Sequence, residues 1–189
     1  MLRNSIVPPL ALLALLAGLA GGRAARAAEG IAWRDSLTAG LEEAKEAGKI
    51  VMICINAKHV EGRDKEEPAA KGLREVVYKD PRIVERSRDF VCVFLTPESG
   101  STAHAELAML GIGGKIVSPQ HIFVSPGGDK ILYRRGYWPH GKGEKAGKGP
   151  DDDIKTAGEK LSESYKALED DAADEAVDSW KRSIDYVAR

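Results

Sequence analysis

Two stretches of the chain, Ile50-Val51-Met52-Ile53-Cys54-Ile55 and Phe90-Val91-Cys92-Val93-Phe94-Leu95, contain no polar position at all. Runs of that length predict strands covered on both faces, the kind found in parallel sheets. Ahead of the first, Trp33, Leu37, Leu41, Ala44 and Ala47 recur at helical spacing, and Gly48 can end that helix. Between the two blocks a polar stretch, Asn56 to Glu67, gives way to a helix opened by Pro68 and running from Ala69 to Lys79. Asp80-Pro81 interrupts it, and a short helix from Pro81 to Arg88 carries Ile83 and Val84.

After Leu95 the pattern changes. Ala105 to Leu110 predicts a brief helix, and Gly111, Gly113 and Gly114 a loop. Two strands follow, Gln120 to Val124 and Lys130 to Tyr137, joined by Ser125-Pro126-Gly127-Gly128-Asp129 as an antiparallel hairpin. The expected sum is an α/β domain over 31–137, a mixed sheet with helices on both faces. Residues 138–150 are rich in glycine and lysine and read as a linker. From 151 to 189 a 3.6-residue apolar period runs through Leu161, Tyr165, Leu168, Ala176, Trp180, Ile184 and Val187. That segment is either one projecting helix or two helices folded back, with Glu169-Asp170-Asp171 as the break. In the projecting case Trp180 and Ile184 form a stripe that needs a partner.

The first residues bear on compartment. Arg3, the apolar run from Ile6 to Ala20, and the small residues flanking Arg26 in Ala25-Arg26-Ala27 have the order of a secretory leader covering residues 1–27. The run is roughly 15 residues, short of the roughly 20 that cross a bilayer. The expectation is an exported, periplasmic or extracellular protein with no membrane segment once the leader is removed. In the full 189-residue chain the formal net charge is −1, and no sustained basic face argues for nucleic acid. The only cysteines are Cys54 and Cys92, so a dense disulfide framework is excluded.

Several features fall in a recognisable order: Trp33 with Ser36-Leu37; Gly48-Lys49 before a buried strand; Glu75-Val76-Val77-Tyr78-Lys79-Asp80-Pro81-Arg82-Ile83 before Phe90-Val91; Ser118-Pro119; and a Pro126-Gly127-Gly128 hairpin ending at Gly136-Tyr137. This order resembles the exported thioredoxin-like proteins related to the C-terminal domain of DsbD. The resemblance implies a thioredoxin-like fold and a cis-proline at Pro119 beside the active site. It also implies a Trp-Cys-x-x-Cys motif after the first buried strand. Counted forward from Lys49, the cysteine positions fall on Val60 and Arg63, with His59 in place of the tryptophan; counted back from Tyr78, they fall on Glu67 and Ala70. The two registers disagree because the loop carries about seven extra residues relative to that family, and neither holds a thiol.

A thiolate that attacks and a second thiol that resolves are both required for disulfide exchange, so two-cysteine chemistry at the usual site is excluded. Cys54 and Cys92 lie within the apolar strands. They read as buried hydrophobes, with a cross-strand disulfide or a reactive thiol as alternatives. His59, His104, His121 and His140 show no paired ligand spacing. They read as scattered surface histidines, and no metal site or cofactor is expected. The functional expectation is a peptide- or protein-binding module whose face is built from His59, Glu67, Ser118 and Pro119. Its alternative is a thiol-disulfide enzyme that uses Cys54 and Cys92.

Overall fold

The computed structural model describes residues 30–57, 66–98, 101–113, 116–136 and 152–189. The leader at 1–27, the linker at 138–150, and the loop residues that include His59, Val60 and Arg63 lie outside them.

Five strands form one sheet in the order β1-β3-β2-β4-β5: β1 Trp33–Arg34, β2 Val51–Ile55, β3 Val91–Leu95, β4 Gln120–Val124 and β5 Ile131–Gly136. β1 and β2 run parallel to β3, whereas β4 is antiparallel to β2 and to β5. The peptide bond from Ser118 to Pro119, which leads into β4, is cis. This strand order and direction, with helices on both faces, is the thioredoxin-like arrangement.

The two apolar blocks divide by alternation, as strands buried on both faces must. Met52, Cys54 and Cys92 face one core together with Phe123 and Tyr133, while Val51, Ile53, Ile55, Val91, Val93 and Leu95 face the other. α1 (Leu37–Ala47) and α4 (Ala103–Met109) cover the second face through Leu37, Ala44, Ala103 and Leu107. The first face is covered by α2 (Pro68–Glu75), a 3-10 turn at Val77–Lys79, α3 (Pro81–Ser87), α5 (Asp152–Glu169) and α6 (Ala173–Val187).

Several boundaries differ from the sequence reading. Trp33 belongs to an edge strand, in register with Cys92, and not to the first helix. Its ring meets Tyr78 and Phe94 edge-on at centroid distances of 5.1 and 5.3 Å. The helix starts only at Leu37 because the Ser36 hydroxyl accepts from the Ala39 N–H as a cap. The helix expected over Ala69 to Lys79 ends at Glu75 and tightens into the 3-10 turn, whose Val77 and Tyr78 are buried. α4 begins two residues earlier than expected, and its Glu106 reaches across to accept from Ser36 Oγ and the Leu37 N–H.

The C-terminal segment folds back. Asp171, at φ 60°, turns the chain between α5 and α6, and the Ser164 hydroxyl of α5 donates to the Ala176 carbonyl of α6 at 2.7 Å. Ion pairs then fix α6 to α3, with Arg82 on Asp178 at 2.8 Å and Arg86 on Asp185 at 2.5 Å. Trp180 and Ile184 are therefore not a free stripe: both are fully buried in the chain's own core. Among the described residues no helix is long and apolar enough to cross a membrane.

Candidate functional site

One end of the sheet gathers the C-terminus of β2, the N-terminus of α2 and the start of β4. Asn56 and Ala57 continue β2 as buried residues. The Asn56 amide donates from Nδ2 to the Ala70 carbonyl at 3.0 Å, and its Oδ1 accepts from Arg74 of α2. Arg74 also pairs with Glu66 and donates to the Ala57 carbonyl at 3.4 Å. A buried asparagine with both ends of its amide engaged locks the strand end to the helix. No thiol takes part.

Glu67 is the N-cap of α2. Its carboxylate accepts from the Ala70 N–H at 2.6 Å, and Pro68 occupies the first helical position. The two residues reached by counting back from Tyr78 thus bond to each other at a helix N-terminus, the place where a thioredoxin keeps its cysteines. A carboxylate there satisfies the helix end and its dipole but offers no sulfur chemistry.

Ser118 and Pro119 stand beside this helix start. The Ser118 hydroxyl accepts from the Ala57 N–H at 2.7 Å, so a side chain takes the position a backbone carbonyl would hold if the β2–β4 ladder continued past Ile55 and Gln120. Ser118 is half-buried and Pro119 buried. Among the described residues the main-chain N–H and carbonyl of Ser118 make no hydrogen bond. Glu67, Ser118 and Pro119 therefore share one end of the sheet, whereas His59 lies outside the described residues.

Beneath this end runs a buried polar chain. The Cys54 thiol lies 2.8 Å from the Tyr78 hydroxyl, that hydroxyl 2.7 Å from His121 Nε2, and His121 Nδ1 2.5 Å from the Tyr165 hydroxyl. His121 is not a surface histidine as its sequence position suggested; it is fully buried on β4. Strand alternation after Pro119 was the signal available, since it puts His121 on the same face as Phe123. Burial lowers its pKa to about 3, so it is neutral. Burial raises the Tyr78 pKa well above the usual phenol value, and its proximity to Cys54 adds to that rise.

Cys54 and Cys92 are free and buried. Desolvation by burial pushes both thiols up to about 12, partly offset at Cys54 by the Tyr78 hydrogen bond. Thiols held protonated in a core do not act as nucleophiles. The expected outcome is that purified chain turns over a model disulfide substrate no faster than a variant carrying both Cys54→Ser and Cys92→Ser, measured by thiol release. No group of three or more histidine, cysteine or carboxylate side chains that would hold a metal occurs among the described residues.

The comparisons with known proteins fall on different parts of this architecture. Residues 136–189, which hold the α5–α6 hairpin, match a family described as a family of unknown function, DUF5828. A solved structure titled DsbH oxidoreductase is similar at a TM-score of 0.44 and 16% identity, over 60% of this chain and 77% of that one. No curated protein matches. The thioredoxin-like assignment rests on the strand order and directions given above.

Proposed function

We propose that this chain is an exported, non-catalytic thioredoxin-fold module that binds an extended peptide segment of a partner protein at the Glu67, Ser118 and Pro119 end of the sheet. The observation that carries the reading is the position of the Ser118 main chain at the end of the β2–β4 ladder, beyond its last pair, Ile55 with Gln120. Among the described residues this N–H and carbonyl have no hydrogen-bond partner, and the pair offers the two hydrogen bonds that an added strand takes. Glu67 closes the helix end where a reactive thiol would otherwise stand, so the face is left to recognition. Export is supported by the leader pattern at residues 1–27. The competing reading, a thiol-disulfide enzyme based on Cys54 and Cys92, is opposed by burial and by thiol pKa values near 12.

The test is selection of random displayed peptides on the immobilised mature chain, followed by affinity measurement with two variants. Ser118→Ala keeps the main-chain N–H and is expected to bind within about threefold of the parent. Ser118→Pro removes the N–H and should weaken binding about tenfold, the worth of one net hydrogen bond. Equal binding by both variants, or the selection of no peptide, refutes the assignment.

A further inference from the structure

His121 is one of the residues through which the C-terminal hairpin meets the sheet. Four elements close over its ring. β4 carries it, the 3-10 turn supplies Tyr78 on Nε2, and α5 supplies Tyr165, stacked at 6.0 Å and bonded to Nδ1. α6 lays Trp180 edge-on at 5.0 Å. Two of the three side chains on the ring, Tyr165 and Trp180, belong to the α5–α6 hairpin.

The groups facing the imidazole are neutral or cationic. Tyr78 and, through Tyr78, Cys54 are acids that burial keeps protonated, and Tyr165 presents its hydroxyl to Nδ1. Cys54 is the register partner of His121 on β2. Arg74 of α2 acts electrostatically on Tyr78 and Cys54. Trp180, from α6, carries no charge. Desolvation drives the His121 shift, and among the described residues no carboxylate contributes to it. Protonation need not break the hydrogen bonds, because both phenol oxygens can accept. What it adds is an uncompensated charge in a closed apolar site, and water is the only remedy.

We propose that protonation of His121 releases the α5–α6 hairpin from the sheet, making the hairpin an acid-sensitive cover. The hairpin is the part that yields because it can leave without removing a strand. It is held together internally by the Ser164 to Ala176 bond, and the core on the other sheet face contains none of its residues. Released, His121 regains an ordinary pKa near 6.5. Docking is therefore at full strength above that value and is lost as pH falls below it toward the closed-state value of about 3. The Arg86–Asp185 pair between α3 and α6 resists acid better than a free carboxylate would. Although burial opposes its ionisation, the Asp185 carboxyl is held below the usual range by Lys181 and Arg86.

Hydrogen exchange of the full chain at pH 7.5 and 4.5, read as protection factors so that intrinsic rates cancel, tests this. From the two pKa values the opening equilibrium rises about 90-fold over that interval. Amides of α5 and α6 are expected to lose protection by that factor while α1 and β2 keep theirs, and His121→Gln should remove the dependence. Loss of protection by all elements together would mean global acid unfolding and overturn the proposal; so would unchanged protection in α5 and α6, or the same loss in His121→Gln. Should that variant fail to fold, the His121 ring nitrogen shifts of the parent decide. A ring that takes up its proton only as α5 and α6 lose protection agrees with the proposal; titration near 6.5 with all amides protected, or a ring still neutral at pH 4.5 with α5 and α6 as protected as at pH 7.5, overturns it.

Discussion

Replacing Trp180 with alanine is expected to cost about 3–5 kcal/mol of unfolding free energy, the range for emptying a large aromatic site in a packed core. Trp180 has no exposed surface, and its ring meets Tyr78 at 6.1 Å and His121 at 5.0 Å. Ile184, one turn further along α6, is equally buried. The cavity left by the indole would lie between α6 and the polar chain, where Tyr78 is held by two hydrogen bonds and cannot move in to fill it. Urea unfolding with unchanged cooperativity and a lower midpoint is the expected readout. A variant that kept its stability but lost a partner would restore the reading of Trp180 and Ile184 as an interaction stripe.

The second large effect is expected at Gly40, on the face of α1 that lies against the sheet. A Cβ at this position would stand 2.4 Å from Val93 Cγ2, well inside van der Waals contact. Val93 is buried in the middle of β3 and is β-branched, so its side chain has one comfortable rotamer and little room to turn. Gly40→Leu must push α1 off the sheet, at about 2–3 kcal/mol by the usual cost of overpacking. Gly40→Ala should lose less, because the gain in helix propensity, about 1 kcal/mol, offsets part of the clash. A leucine variant as stable as the parent would show that α1 is not seated on Val93 as described.

The buried strands were legible in the sequence because burial on both faces leaves no polar residue, a signal that needs no partner to interpret. The β4–β5 hairpin was legible through its Pro-Gly-Gly turn. Trp33 was misread because a two-residue edge strand has no period of its own; only pairing with Cys92 makes it a strand. At the candidate site the absence of the cysteine pair was plain from the residues, and Glu67 and Ala70 were named by one of two conflicting counts. The helix start at Pro68, capped by Glu67, places those two residues at its first turn.

By itself, then, the sequence determined the sheet's apolar strands, the lack of a dithiol motif and the helical character of the last forty or so residues, all properties of local pattern and composition. The tertiary structure decided what a linear pattern cannot carry. It folded α6 back, so that a stripe of apolar residues became core, and it closed Tyr78, Tyr165 and Trp180 around His121. Those residues come from elements far apart in the chain, and the charge state of the imidazole depends on the water their packing excludes. It also set the Ser118 hydroxyl on the Ala57 N–H at the end of the β2–β4 ladder, a consequence of strand register and not of residue type.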